Sequence, residues 1–196
     1  KPDAFSLRFL YANTLLYFNR FKEAQVHYEL ITTMPGARAT QADVYNGALV
    51  AMAHTHNQME NYQEALRWAQ RAVEDRSQGP QGMQGWYQWG YALTRLNESE
   101  AALEKFYSAL ACKNMVSSVQ VDYSGLRMSC LEAVTTILVS LGRGYEAENL
   151  LRDELKKDAT PAILELLGKV QNKPINSEED LLLKGQELLA KHAYIE

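Results

Sequence analysis

Six residues separate Ala12 from Phe18, Ala53 from Met59 and Gly90 from Leu96, and six more lead to Ala24, Ala65 and Ala102. A small–large–small ruler laid down three times in one chain calls for an internal structural repeat. The pattern between the marks is helical. Apolar residues recur at three and four, as in Leu7, Leu10, Tyr11, Leu15 and Phe18, and again in Leu126, Cys130, Val134, Ile137, Leu138 and Leu141. Breaks fall at Pro35-Gly36 and at Gly79-Pro80-Gln81-Gly82. Thr160-Pro161 reads as an N-cap with Pro in the first turn, and Ser177 as a cap before the acidic start Glu178-Glu179-Asp180. Asn46-Gly47 lies inside a helical pattern, so no β-hairpin is expected there. These signals predict ten helices, at about 3–18, 20–33, 40–58, 61–76, 81–96, 98–112, 118–141, 144–157, 161–171 and 177–193.

The fullest unit reads Trp86-x2-Trp89-Gly90-x2-Leu93-x2-Leu96-Asn97-x4-Ala102-x3-Phe106-x2-Ala109. Ala12, Phe18, Phe21, Ala24 and Tyr28 match it in a first unit. Ala53, Met59, Tyr62, Ala65, Ala69 and Ala72 match it in a second. In a fourth, Leu141 and Ala147 keep the gap, Thr135 takes the small position, and the turn aromatic arrives one residue late as Tyr145 after Gly144. Small residues let two helix backbones approach, and large neighbours fill the adjoining hole. The pattern resembles the tetratricopeptide repeat, over about residues 5–157. The resemblance implies an all-α, right-handed superhelical solenoid of antiparallel helix pairs forming one domain over 1–196. Its units are 5–35, 40–76, 83–113 and 118–157, with a divergent pair or cap at 160–194. The alanines Ala24, Ala65, Ala102 and Ala147 stand 41, 37 and 45 residues apart, longer than the family spacing. The surplus is expected in first helices or in connections such as 36–42 and 77–84.

Composition narrows the function classes. A net charge of −4 argues against a nucleic-acid partner. No apolar run approaches the length that spans a bilayer, so no direct membrane insertion is expected. The chain opens at Lys1-Pro2 without an initiator Met, which reads as a fragment. His54-Thr55-His56 cannot hold one metal ion from a helix, because side chains two apart point away from each other. Cys112 and Cys130 read as buried thiols. Gly79, Gly82 and Gly85 lack the Gly-Lys-Ser/Thr of a phosphate cradle and read as a flexible inter-repeat loop. Asn97-Glu98-Ser99 fits a glycosylation sequon but reads as a turn and cap. Trp86, Trp89, Phe106 and Tyr107 read as core. No catalytic constellation, metal site or cofactor is expected, and the chain does not read as an enzyme.

In proteins with this repeat, the first helix of each pair lines a concave groove that holds a partner segment. Carried over where the units match, the groove candidates are Asn13 and Tyr17, then His54, Asn57 and Gln58, then Tyr87, Gln88, Tyr91 and Arg95, with Thr136 in the fourth unit. The lysines of the clamp that grips an acidic chaperone tail are missing. Amides satisfy an extended peptide backbone, and Tyr gives contact area at low entropy cost. The expected role is a non-catalytic scaffold whose partner is another protein or a peptide segment. Two alternatives stand beside it: an envelope-associated helper of secretion or exopolysaccharide export, and an accessory domain of a larger regulator. Self-association through an exposed terminal face is a further expectation.

Overall fold

Helices built from these stripes pair because each has one narrow face of small and apolar residues. In the computed structural model the described residues are 4–112, 124–172, 181, 182, 185 and 186, and among them there are ten helices and no strand. The order is α1 (Ala4–Tyr17), α2 (Phe21–Thr33), α3 (Ala37–Thr40), α4 (Ala42–Gln58), α5 (Tyr62–Asp75), α6 (Gly79–Arg95), α7 (Ser99–Ala111), α8 (Ser124–Ser140), α9 (Gly144–Lys157) and α10 (Pro161–Gln171). The chain divides into two compact units, Lys1–Tyr123 and Ser124–Glu196.

In the first unit, α1 packs on α2, α4 on α5 and α6 on α7, and successive pairs meet through α2 on α4 and α5 on α6. Ala12, Leu15, Ala24, Tyr28, Ile31, Ala48 and Met52 form one core cluster, with Phe9, Leu16 and Trp68 against it. Tyr28 is fully buried, and its hydroxyl donates to Asn13 Oδ1 at 2.7 Å. Farther along, Phe106 is buried against Gly90. In the second unit, Cys130, Leu131, Val134 and Leu138 of α8 and Ala147 and Leu151 of α9 are fully buried or nearly so. There Glu154, on the buried face of α9, meets Arg127 at 2.6 Å and Lys157 at 2.8 Å. Burial alone would raise its pKa, but these two partners together hold it below the usual carboxylate range.

One turn is built four times. Asn19, Glu60, Asn97 and Gly142 all have left-handed backbone, with φ of 58°, 61°, 63° and 78°. The next residue's amide reaches back to a carbonyl five positions earlier: Arg20 to Leu15, Asn61 to His56, Glu98 to Leu93 and Arg143 to Leu138, at 2.8–2.9 Å. That bond closes the first helix of each pair in a Schellman turn. Five residues past each left-handed position stands Ala24, Ala65, Ala102 or Ala147, each 0% exposed. The fourth pair, divergent in sequence, keeps this geometry by placing Gly at the left-handed position. Thr135, where a small residue was expected, is buried and returns its hydroxyl to Leu131 O at 2.8 Å.

Asn tolerates left-handed backbone better than most residues, and Gly has no steric cost there. Glu60 has neither advantage and is exposed. Glu60→Gly should therefore stabilise the chain by up to about 1 kcal/mol. Urea denaturation followed by circular dichroism would check it, and a lower midpoint would contradict it.

Several expectations are corrected. The Gly79–Gly85 stretch is not a flexible loop. Gly79 begins α6, Pro80 sits in its first turn, and Gly82 and Gly85 are buried. Residues 37–40, expected in a connection, form a short helix after the left-handed Gly36. Asn97 does make the turn, but Ser99 does not cap. Glu98 holds the cap position without a side-chain bond, and Ser99 is the first helical residue. Thr160 does cap, accepting from the Ile163 amide. Tyr107 is exposed, and Trp86 and Trp89 are only half-buried, stacked 5.5 Å apart with Lys105 over both rings. Of the α1 stripe, only Leu15 enters the core, because Ala12 sets the face that meets α2. Cys130 is buried, but Cys112 only half so. As expected, the surplus length is shared: α4, α6 and α8 have 17 residues each, against 13 or 14 in their partners, and residues 34–41 lengthen the connection between α2 and α4. The expected cap Ser177, its acidic start, most of the helix at 177–193 and the start of that at 118–141 lie outside the described residues.

Candidate functional site

The repeat register sorts the candidates into two rows. Asn13, His54, Tyr91 and Thr136 are equivalent, separated by the same 41, 37 and 45 residues as the buried alanines. Tyr17, Gln58 and Arg95 form a second set, one helical turn on. The members in α1, α4 and α6 all belong to the first unit. Thr136 is an exposed residue of the second unit.

The inner residues are held in place by hydrogen bonds. Asn57 is 3% exposed, and its amide donates to Gln88 O at 3.0 Å and to Gln88 Oε1 at 2.9 Å, which ties α4 to α6. His54, one turn earlier, is half-buried beside the same Gln88 side chain. Asn57 Oδ1 is buried without a hydrogen-bond partner among the described residues. Asn13 is occupied by the Tyr28 hydroxyl. Tyr87 is half-buried, its ring 5.7 Å from that of Phe106. Tyr91 is half-buried too.

The outer residues face water. Tyr17 is 80% exposed, and Gln58 and Arg95 are exposed. Arg95 is nevertheless ordered: its Nε donates to Tyr62 Oη at 3.0 Å, and its guanidinium lies 5.5 Å from the Tyr62 ring centroid. The arrangement thus offers fixed amide and imidazole groups beneath an exposed tier of Tyr, Gln and Arg. It can donate and accept hydrogen bonds and supply aromatic contact.

His54 and His56 diverge, as their two-residue spacing dictates. His54 turns to Gln88 on α6, whereas His56 accepts from Gln25 of α2 at 3.0 Å. Sequence reasoning passed over Gln25 and Tyr62, which lie on second helices. No local pattern signalled either, since each meets its partner from a neighbouring helix 31 or 33 residues away in sequence.

No family model matches the chain, and a search of curated proteins finds no match. Among solved structures the chain is similar to BtubC from P. vanneervenii. The TM-score is 0.66 at 18% sequence identity, over 90% of this chain and 70% of that one. The likeness is one of fold: a helical, repeat-like, all-α architecture.

Burial pushes both imidazoles below the ordinary value, a loss only partly offset for His54 by the Gln88 side chain and for His56 by the charges of Glu64 and Glu29. The unfolded chain therefore binds more protons than the folded one below about pH 6.5. Stability should fall as pH drops through that value toward the lower folded values. Thermal melts between about pH 7.5 and 5 of wild type and of His54→Gln/His56→Gln should diverge as the solution acidifies, with the variant losing less. Parallel curves would contradict this assignment.

Proposed function

We propose that the chain is a tetratricopeptide-like interaction module without catalytic chemistry, which holds a segment of a partner protein across the first helices of its repeats. The single observation that supports this reading is the two-tier row on α4 and α6. Its lower tier, His54, Asn57 and Gln88, is fixed before any partner arrives, and its upper tier, Gln58 and Arg95, is left to solvent or to a partner. A surface fixed in advance loses little entropy on binding. Amides and imidazole suit the donors and acceptors of an extended backbone, and Tyr and Arg are the residues most often found at binding hot spots.

The test separates the exposed tier from its support. Peptides selected from a displayed random library on the wild-type chain should bind with a dissociation constant on the order of micromolar. Gln58→Ala/Arg95→Ala should weaken them at least ten-fold without changing the melting temperature. Failure to select any peptide, or equal binding by the variant, would overturn the reading. Asn57→Ala is a poor probe, because it loosens α4 from α6.

A further inference from the structure

Resting on the groove reading above, we infer that the segment held across the first unit is a proline-rich stretch in the polyproline II conformation, seated so that every third residue meets a successive first helix. Tyr17 of α1, Gln58 of α4 and Arg95 of α6 occupy one repeat register, and all three are exposed. Tyr17 owes its 80% exposure to that register and not to its place in the first pair, since Gln58 and Arg95 are exposed with a helix pair before each of them. Phe18 braces the Tyr17 ring edge-on at 5.3 Å, and the Tyr62 ring braces the Arg95 guanidinium.

The spacing of the three helices selects the conformation. α1 packs directly on α4, and α4 on α6. A Cβ added at Gly47 would lie 2.9 Å from the Phe9 ring, and Asn57 donates to the Gln88 backbone carbonyl at 3.0 Å. Helices in such contact have axes about 8–10 Å apart. A polyproline II segment turns once in three residues and rises about 3.1 Å with each, so like-facing residues recur about every 9 Å. Along a β-strand they recur about every 7 Å. Along an α-helix one turn covers about 5 Å and two turns about 11 Å. The three-residue period alone keeps step with the helices, setting i, i+3 and i+6 against Tyr17, Gln58 and Arg95.

The chemistry of the row fits the same conformation. A polyproline II backbone makes no internal hydrogen bonds, so its carbonyls stay open, and proline has no N–H to give. Such a segment presents acceptors. The Tyr17 hydroxyl, the Gln58 amide and the Arg95 guanidinium all donate. Arg95 gives its Nε to Tyr62 Oη at 3.0 Å, which leaves both Nη groups to reach a carbonyl. Aromatic-lined surfaces hold proline-rich segments, which arrive already ordered, and Tyr17 supplies an exposed ring at one end of the row. At the other end the charge of Glu60 acts on Arg95, which favours a neutral carbonyl there over a second carboxylate.

Peptides selected on the wild-type chain from an unbiased displayed library should contain proline. An alanine scan of a selected peptide should lose affinity by about ten-fold or more at three positions spaced three apart. Proline placed at the positions between them should be tolerated within about two-fold, since its fixed φ is already that of the bound segment. Tyr17→Ala and Arg95→Ala lie at exposed positions and should leave the melting temperature unchanged. Each should cancel the loss at one end of the triplet, and the two at opposite ends. A period of two, sensitivity at i, i+4 and i+7, loss of binding on proline substitution, or a scan that both variants leave unchanged would overturn this inference while the groove reading stands. Failure to select any peptide would overturn both.

Discussion

Phe106→Ala should destabilise the first unit by about 3–5 kcal/mol, the largest loss expected from any single truncation here. The ring is 1% exposed and fills the space that Gly90 leaves open on α6. A Cβ built on Gly90 would stand 2.9–3.0 Å from three carbons of that ring. Truncation thus removes the apolar burial and leaves a void that two helices cannot close without sliding past each other. The same closeness predicts coupling. Gly90→Ala alone should cost about 1–3 kcal/mol, because the ring must move. In the Phe106→Ala background the methyl group enters the vacated space, and most of that cost should vanish. A double-mutant cycle by urea denaturation measures this directly, and strictly additive losses would show that the two residues do not share a site.

Gly82→Ala should be nearly as damaging, for a different reason. Its added Cβ would meet backbone rather than side chain: Ser77 C at 2.5 Å, Ser77 O at 2.7 Å and Arg76 O at 3.1 Å. No rotamer change relieves a clash with backbone, so the start of α6 must lift away from the end of α5. Two side-chain anchors would be disturbed with it. Trp86 Nε1 donates to Ser77 O at 3.1 Å, and Gln81 Nε2 donates to Asp43 O at 2.9 Å. A loss of about 2–4 kcal/mol is expected from overpacking plus these bonds. Indole fluorescence should report it at lower denaturant than in the wild type. By contrast, Gly125→Ala in the second unit has open space around the added group and should change stability by less than about 0.5 kcal/mol.

The contrast between these glycines marks what the sequence could and could not reveal. The ruler was legible because it records backbone proximity. Only a small residue sits where helices cross, so Ala12, Ala53 and Gly90 announce the pairs. The four buried alanines of the second helices follow from the same steric demand. Gly79, Gly82 and Gly85 were misread because a glycine cluster signals either freedom or crowding, and composition does not distinguish them. Here Gly82 and Gly85 are crowded, and only Gly79 uses its freedom, with φ of 72°. The α1 stripe left its burial open for a related reason. Periodicity shows that a helix has an apolar face, but not whether a neighbour lies against it. Leu7, Tyr11 and Phe18 have the right spacing for a core face, yet among the described residues they are half or more exposed.

The candidate site was legible in its register and not in its bonding. Equivalent positions follow from counting 41 and 37 residues, and that placed His54 with Tyr91 and Gln58 with Arg95. That Asn57 would be nearly sealed between α4 and α6, while Gln58 beside it stays exposed, depends on where the helices touch. The partners Gln25 and Tyr62 lie 31 and 33 residues away in sequence, on helices whose distance no local pattern encodes.

The fourfold turn has a consequence for how such a chain changes length. Every variation in repeat length lies outside the interval from the left-handed residue to the buried alanine, which is five residues in all four pairs. Between α2 and α4 the chain spends residues 34–41 and folds a helix of its own there, whereas between α5 and α6 it uses only 76–78. Growth and loss have room outside that interval, and none within it. A reporter loop or affinity tag inserted near Ala39 should therefore leave every hairpin intact, whereas one added residue at Arg20 would turn Ala24 and Tyr28 away from their contacts and undo a pair.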